Sequence, residues 1–345
     1  PSELEINKII KLVSKGLFQE ALNDAKIYSE KYPDNALFQN ITGACYGGLG
    51  KFNEAVLHYQ KAIEIKPDYA KAHYNLAGTF QDMGHLKKAV KSYKKSIEIE
   101  PGFGESHNNL GNVYKELQQS EDAINSYKKA IQINPNYVEA LYSLSNLLQN
   151  IDNQTAIEYL EKVINIKSKF VEAHNNLGIL YRNQGRLIEA VQSYENALAI
   201  NSNFGEAHNN LGNVYRDLNQ LDEAVESYQK AISLKPDYPS TYNNLGNVLK
   251  DLDQLDEAIE LYHKALKINP DNFEILNNLG NALTEIEQFE DAIEVFKKAT
   301  AINSDYADAF NNLGVAFKKI GRIDDAIEAY EKAIAINSDF ADAYN

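Results

Sequence analysis

Asparagine, histidine and one cysteine are the side chains with chemistry to offer in this chain, and their spacing decides what that chemistry is. Four of the seven histidines recur in register, at 73, 107, 174 and 208, in steps of 34 or 67 residues. A shared metal ion needs its nitrogens about 2 Å from one point, and side chains a regular 34-residue step apart do not converge in that way. Cys45 has no second cysteine to pair with and no recurring His–acid partner, so it reads as a buried structural thiol rather than a nucleophile. The 49 Asp and Glu recur at the same step, the mark of a surface rather than of an acid–base pair. No glycine-rich phosphate loop follows a strand pattern. The expectation is no catalytic residue, no metal and no cofactor. What remains is asparagine, in rows.

The rows follow from a repeat. The chain aligns with itself in ten blocks, 2–35, 36–69, 70–103, 104–137, 138–170, 171–204, 205–238, 239–272, 273–306 and 307–340, with the start of an eleventh at 341–345. All ten are 34 residues long except the fifth, which has 33. Numbering positions within a block, 7 is leucine (Leu76, Leu211, Leu313), 8 is small (Gly43, Ala77, Gly212), 20 is alanine (Ala55, Ala224) and 24 is tyrosine or phenylalanine (Tyr93, Phe296). Positions 3, 4, 7, 8 and 11 share one stripe at helical spacing, and positions 20, 21, 24, 27 and 28 share another. Each block therefore predicts two amphipathic helices, A and B, broken at position 15 by glycine, asparagine, aspartate or glutamine and again near the proline or serine at position 32. Asp68, Asp237, Asp271, Asp305 and Asp339 at position 33 are expected to cap the next A helix. The aromatic at position 24 is expected to fill space between repeats. One helix pair cannot bury its apolar face alone, whereas ten stacked pairs build one continuous core.

Charge limits the partners. With 34 Lys and Arg against 49 Asp and Glu, the chain carries −15. A surface this acidic repels phosphate backbones and anionic lipid, so neither nucleic acid nor a membrane is the expected partner. No apolar run is long enough to span a bilayer. The lone cysteine suits a reducing, cytoplasmic compartment.

The A-helix face opposite the apolar stripe contains positions 2, 5, 6, 9 and 13 and is rich in asparagine. Position 6 holds Asn75, Asn109, Asn176, Asn210, Asn244, Asn278 and Asn312, interrupted by Ile41 and Ser143. Position 5 holds Asn108, Asn175, Asn209, Asn243 and Asn277, with Asn40 and Asn311, and position 9 holds Asn112, Asn213, Asn247 and Asn281, with Asn146. Asparagine is a mediocre helix former, so helix propensity does not explain the rows. A carboxamide offers one acceptor and two donors and can bond both backbone groups of another chain. With repeats about 10 Å apart and an extended peptide advancing about 3.3 Å per residue, one rung meets every third peptide residue. The competing explanation is inheritance through duplication without any ligand. Position 2 is mainly acidic (Glu105, Glu139, Glu172, Glu206, Glu274, Asp308), and positions 12 and 13 carry opposite charges. These suit either mutual pairing or a preference for basic ligands.

The pattern of leucine at position 7, glycine at 8, alanine at 20, tyrosine at 24 and alanine at 27 resembles the tetratricopeptide repeat (TPR) family over residues 2–345. That resemblance implies an all-α fold, a right-handed superhelical solenoid of tandem helix-turn-helix repeats whose inner groove is lined by the A helices. The family often has tryptophan at position 4, where this chain has His73, His107, His174, His208, Tyr242, Leu276 or Phe310. The position-6 asparagines are similar to the asparagine ladder in the solenoid of O-linked N-acetylglucosamine transferases, where it holds the extended protein substrate for a following catalytic domain. The first blocks also look like bacterial repeat proteins fused to transferases.

The expected function is a single solenoid, 1–345, that binds polypeptide or protein ligands through its asparagine rows. The alternatives are a substrate-recruiting arm of a glycosyltransferase or other transferase, and a self-assembly scaffold without a groove ligand. No capping helix follows block ten. The chain is therefore expected to continue past Asn345, or to self-associate through that uncapped end. Block five, one residue short, is expected to tighten its turn and change the local twist.

Overall fold

The computed structural model describes residues 3–337 of the chain, and every regular element among them is an α-helix. The contacts fall into two compact units, Pro1–Ser168 and Lys169–Asn345. In the first, the pairs are α1 (Glu3–Ser14) with α2 (Phe18–Lys31), α3 (Ala36–Gly48) with α4 (Phe52–Ile65), α5 (Ala70–Asp82) with α6 (Leu86–Ile99), α7 (Gly104–Glu116) with α8 (Ser120–Ile133), and α9 (Val138–Leu148) with α10 (Asn153–Ile166). In the second they are α11 (Val171–Asn183) with α12 (Leu187–Ile200), α13 (Gly205–Asp217) with α14 (Leu221–Leu234), α15 (Pro239–Asp251) with α16 (Leu255–Ile268), α17 (Phe273–Glu285) with α18 (Phe289–Ile302), and α19 (Ala307–Lys319) with α20 (Ile323–Ile336). This is the all-α solenoid of tandem helix pairs that the repeat predicts. The eleventh block and Asp339 lie outside the described residues.

Within each unit a B helix packs on its own A helix and on the A helix that follows, and successive A helices also touch, as α5 with α7 and α13 with α15. An A helix thus has neighbours on three sides. Its leucine at position 7 is buried, as at Leu76, Leu110 and Leu279. Each such burial is worth about 2 kcal/mol. The alanine at position 20 is fully enclosed in Ala55, Ala89, Ala224 and Ala258.

The position-24 aromatic sits between repeats as expected, Tyr59 meeting Thr79 and Tyr127 meeting Ser143 on the next A helix. Its ring also lies against the glycine at position 8 of its own repeat. A Cβ built on Gly212 would stand 2.8 Å from the Tyr228 ring, and one on Gly280 would stand 2.5 Å from Phe296. Glycine at position 8 is therefore a packing requirement. Block 70–103 relaxes it as a pair of changes, with Ala77 at position 8 and Gly78 at position 9, and there the nearest atom to a Cβ on Gly78 is the Tyr93 hydroxyl oxygen at 3.5 Å.

Position 15 turns the chain between A and B. It takes positive φ in Gly16, Gly50, Gly84, Gly185 and Gly321, and equally in Gln118, Asn219, Asp253 and Glu287 at 59° to 62°. The residue after it donates its N–H back into the last turn of the A helix, as His85 to the carbonyl of Phe80 at 2.7 Å. That bond satisfies one of the helix's orphan carbonyls. The expected capping by aspartate at position 33 does not occur among the described residues. The N-cap of the A helix is position 34, usually an aromatic such as Tyr69, Phe103 or Tyr306 with no side-chain bond to the helix. Only Asn35 and Asn272 at that position cap, accepting from the N–H groups of Leu37 and Ile275. Position 31 shapes the preceding turn instead, with Asn134, Asn201 and Asn303 accepting from the N–H two residues on.

Block five absorbs its missing residue differently from the expectation. Its A helix, α9, has 11 residues where the others in that unit from α3 onward have 13. Its A–B turn is a residue longer and lacks the positive-φ position, Asp152 standing at φ −149°. Asp152 caps α10 instead, accepting from the Thr155 N–H at 3.1 Å and from the Thr155 hydroxyl at 2.6 Å.

A non-glycine residue in left-handed conformation costs about 1–2 kcal/mol, of which glycine's greater unfolded freedom returns part. Glu287→Gly and Gln118→Gly are each expected to raise stability by about 0.5–1 kcal/mol, read from the denaturant midpoint; a fall in midpoint would show that the Glu287 or Gln118 side chain outweighs the backbone gain.

Candidate functional site

The asparagines divide by position into three structural situations. Position 5 is not on the open face. Asn40, Asn108, Asn175, Asn209 and Asn277 are buried, and Asn243 and Asn311 are half-buried. The single-stripe reading of helix A placed them outward because it allowed for one neighbour, whereas contact between successive A helices encloses position 5 as well. Positions 6 and 9 are half-buried in Asn75, Asn109, Asn176, Asn210, Asn244, Asn278 and Asn312, and in Asn112, Asn213, Asn247 and Asn281.

A cross-repeat bond links the first two rows. The position-6 amide donates through Nδ2 to the position-5 oxygen of the preceding repeat, 35 residues earlier, from Asn75 to Asn40 at 3.0 Å, Asn210 to Asn175 at 3.1 Å, Asn278 to Asn243 at 2.9 Å and Asn312 to Asn277 at 3.0 Å. Asn244 reaches Asn209 at 3.5 Å and Asn213 at 3.1 Å. Where position 5 is Tyr74, Asn109 donates to its hydroxyl at 3.0 Å instead. Where position 6 is apolar, at Ile41, position 5 of the preceding block is Ile6, and both belong to one apolar cluster. Ser143 is the exception. It replaces the donor that Asn108 needs, and the Asn108 Oδ1 is a buried oxygen without a hydrogen-bond partner.

Position 9 is engaged by the aromatic row. The hydroxyls of Tyr127, Tyr228 and Tyr262 donate to Asn112, Asn213 and Asn247 at 2.7 to 2.8 Å. Burial raises these phenols, Tyr127 and Tyr228 to about 12, so they stay protonated as donors. The position-9 oxygen is thus partly committed inside its own repeat. Position 6 keeps more capacity, because an amide that gives one N–H to its neighbour still holds an acceptor oxygen and a second N–H.

Charged positions 12 and 13 pair along the same diagonal. Arg182 meets Asp217 at 2.6 Å and Lys250 meets Glu285 at 3.5 Å, while Gln81 donates to Glu116. Position 2 stays exposed in Glu105, Glu172, Glu206, Glu274 and Asp308, and Glu206 also accepts from the buried Asn175 at 3.3 Å.

The position-4 histidines have a structural task. His73, His107 and His208 each place Nε2 3.0 to 3.2 Å from the carbonyl oxygen of Pro67, Pro101 and Ser202, the position-32 residue of the preceding block. Tyr242 donates its hydroxyl to the Pro236 carbonyl in the same way at 3.0 Å. Burial lowers the pKa of all three histidines, against the raising effect of those carbonyls. Cys45 is fully buried, and burial raises its thiol to about 11, which leaves it unreactive. No helix among the described residues is long and apolar enough to cross a membrane.

Family profiles described as a TPR repeat match residues 48–84, 111–151, 179–218, 212–253, 246–286 and 280–321, and others described as a tetratricopeptide repeat match 70–103, 307–340 and 92–125. The chain belongs to the tetratricopeptide repeat family. No curated protein matched it. Among solved structures it is similar to YrrB, described as a TPR protein with an unusual peptide-binding site, at 26% identity and TM-score 0.47 over 55% of this chain and 97% of that one. It is also similar to MamA, at 27% identity and TM-score 0.46 over 48% and 92%. A third, PilF of Pseudomonas aeruginosa, is 20% identical with TM-score 0.53 over 60% and 94%, a likeness of fold. The chain is a TPR scaffold for protein interactions, built of repeats that generally bind polypeptide partners.

The stranded oxygen of Asn108 makes the wiring testable. Ser143→Asn supplies the missing donor and is expected to stabilise the protein by about 1 kcal/mol, measured by urea unfolding; no gain in the native chain together with a gain in an Asn108→Leu background would remove the pairing as its cause. The histidines add a pH dependence. A histidine whose folded pKa lies below its unfolded value of about 6.5 contributes stability that is complete above that pH and is lost as pH falls. The melting temperature is therefore expected to drop between about pH 7.5 and 5.5, and less so in the His73→Tyr/His107→Tyr/His208→Tyr variant, which copies Tyr242; identical pH profiles would exclude these histidines.

Proposed function

We propose that the A-helix face of Lys169–Asn345 grips an extended polypeptide through its main chain. The observation that carries this reading is the register of position 6. Asn176, Asn210, Asn244, Asn278 and Asn312 stand at the same place in five consecutive A helices, and the last four are each held by a bond to the preceding repeat. In Pro1–Ser168 the row is shorter, Asn75 and Asn109 being followed by Ser143.

An amide anchored through one N–H presents its oxygen and second N–H with little freedom left to lose, which lowers the entropic cost of binding. The oxygen accepts a peptide N–H and the remaining N–H donates to a peptide carbonyl. Such contacts read no side chain. At about 0.5–1.5 kcal/mol for each bond, a handful supports an affinity of roughly micromolar order. Charge adds a preference. The second unit has 15 Lys and Arg against 29 Asp and Glu, net −14, and Glu172, Glu206, Glu274 and Asp308 lie exposed beside the row. Peptides carrying Lys or Arg bind best, and added salt weakens them.

The test separates holding from binding. The triple variant Asn210→Ala/Asn244→Ala/Asn278→Ala is expected to lose peptide binding by calorimetry at a temperature where circular dichroism shows it folded. Asn175→Ala/Asn209→Ala/Asn277→Ala, which removes the acceptors that hold Asn210, Asn244 and Asn312, is expected to melt earlier and, while folded, to keep binding with a weaker affinity, since its position-6 amides remain but are no longer anchored. Equal affinity in the native chain and the position-6 variant would refute the reading.

A further inference from the structure

One repeat breaks the charge pattern of the other nine. Block 70–103 has six lysines against three carboxylates, and no other block is net positive. The break is concentrated on α6. The first turn of α2, α4, α8, α12, α14, α16, α18 and α20 contains one or two carboxylates. The first turn of α6 contains Lys87 and Lys88. Cations at a helix N-terminus oppose its dipole. Lys91 follows at the spacing that sets like charges against both, and Lys94 and Lys95 follow it in turn. All five are exposed. Left to itself, the helix is worse for this arrangement at every step, and an anionic partner would relieve it.

The surroundings fit such a partner. A cavity of about 740 Å³ lies against α6, lined by Lys91, Lys94, Lys95, Ser92, Gln60 and His73. Two carboxylates also line it, Glu64 and Glu98, and Glu98 is already paired with Lys95 at 2.9 Å. Lys88 lies over the Phe80 ring at 5.4 Å and Lys94 over Tyr114 at 5.7 Å, so both ammonium groups are positioned by ring faces. Among the described residues, neither Lys87 nor Lys91 has a carboxylate partner.

We propose that this cleft and the outer face of α6 bind a short acidic polypeptide segment. Five ammonium groups spread over about 12 Å of helix match charges spaced along a chain better than one compact anion. The equivalent first turns of α4 and α8 carry Glu54, and Glu121 with Asp122, the last close enough to act on Lys94. Acid at the same place in both neighbouring repeats favours a short polyanion over a continuous nucleic-acid backbone. A concave cleft receives a narrow segment, whereas the broad helical face of a second copy would touch only its rim.

The test uses a labelled short poly-glutamate peptide and fluorescence anisotropy on the whole chain. The native protein is expected to bind it at low salt, and Lys87→Glu/Lys88→Glu/Lys91→Glu to bind it roughly tenfold more weakly or less. That variant restores the sister repeats' acidic first turn, so its melting temperature is expected to hold or rise, which separates lost binding from lost folding. The position-6 alanine variant is expected to bind poly-glutamate as the native chain does. Absence of native binding at low salt, or equal binding by the charge-reversed variant, would overturn the proposal. So would sedimentation showing copies that associate at low salt and separate on charge reversal, which would make a second copy the occupant.

Discussion

In an A helix enclosed on three sides a polar group without a partner is costly. Its own B helix, the B helix before it and the neighbouring A helices leave one narrow open side. A buried amide or carbonyl left unpaired costs about 1–3 kcal/mol, comparable to the gain from burying a leucine. The polar wiring follows from that constraint. Asn209 inside the stack requires a donor, and Asn244 in the next repeat supplies one, with Thr241 supplying a second. The Tyr228 hydroxyl, carried inward by its ring, finds Asn213. The turn carbonyl at Pro101 finds His107. Small residues at positions 8 and 20 make the enclosure tight, and the amides make the tightness tolerable.

The same constraint separates what was legible in the sequence from what was not. Helix pairs, block boundaries, the leucine at position 7, the glycine at position 8 and the alanine at position 20 were legible because each reports on one helix and its nearest partner, and periodicity measures that. The burial of Asn175 and Asn277 was not, because a helical wheel assigns each helix one buried stripe and does not see the A helix of the next repeat. A signal was present at a separation of 35 residues. Asn75 follows Asn40, Ile41 follows Ile6, and the one mismatch, Ser143 after Asn108, is where an oxygen is stranded. Pairs at that separation carry information that position-by-position alignment of the blocks discards. The aspartate caps expected at position 33 failed for a different reason. The turn between blocks is closed by backbone bonds and by an aromatic at position 34, which leaves position 33 one residue too early to reach the helix N–H groups.

Basic charge on α6 was also visible in the sequence, but only against the other repeats. A lysine-rich helix alone is an ordinary solvated surface. Nine sister blocks that place no net positive charge on the same scaffold turn it into a departure, and the helix dipole gives that departure a sign. Internal repetition thus supplies a reference state within a single chain.

On the asparagine face, part of the recurrence at position 6 has a structural cause, since each buried position-5 oxygen needs a donor at the start of the next repeat's second turn. That need does not by itself select asparagine. Lysine or arginine would also donate, forms helix better, and would offset part of the −14 carried by this unit. Glutamine would donate from a longer and less ordered side chain. Asparagine is the short group that donates to the neighbour and keeps both an acceptor and a donor for something else. Five consecutive repeats, from Asn176 to Asn312, make the same choice. Packing accounts for one N–H at Asn210, Asn278 and Asn312, and a polypeptide main chain is the partner whose alternating N–H and C=O groups would use the rest.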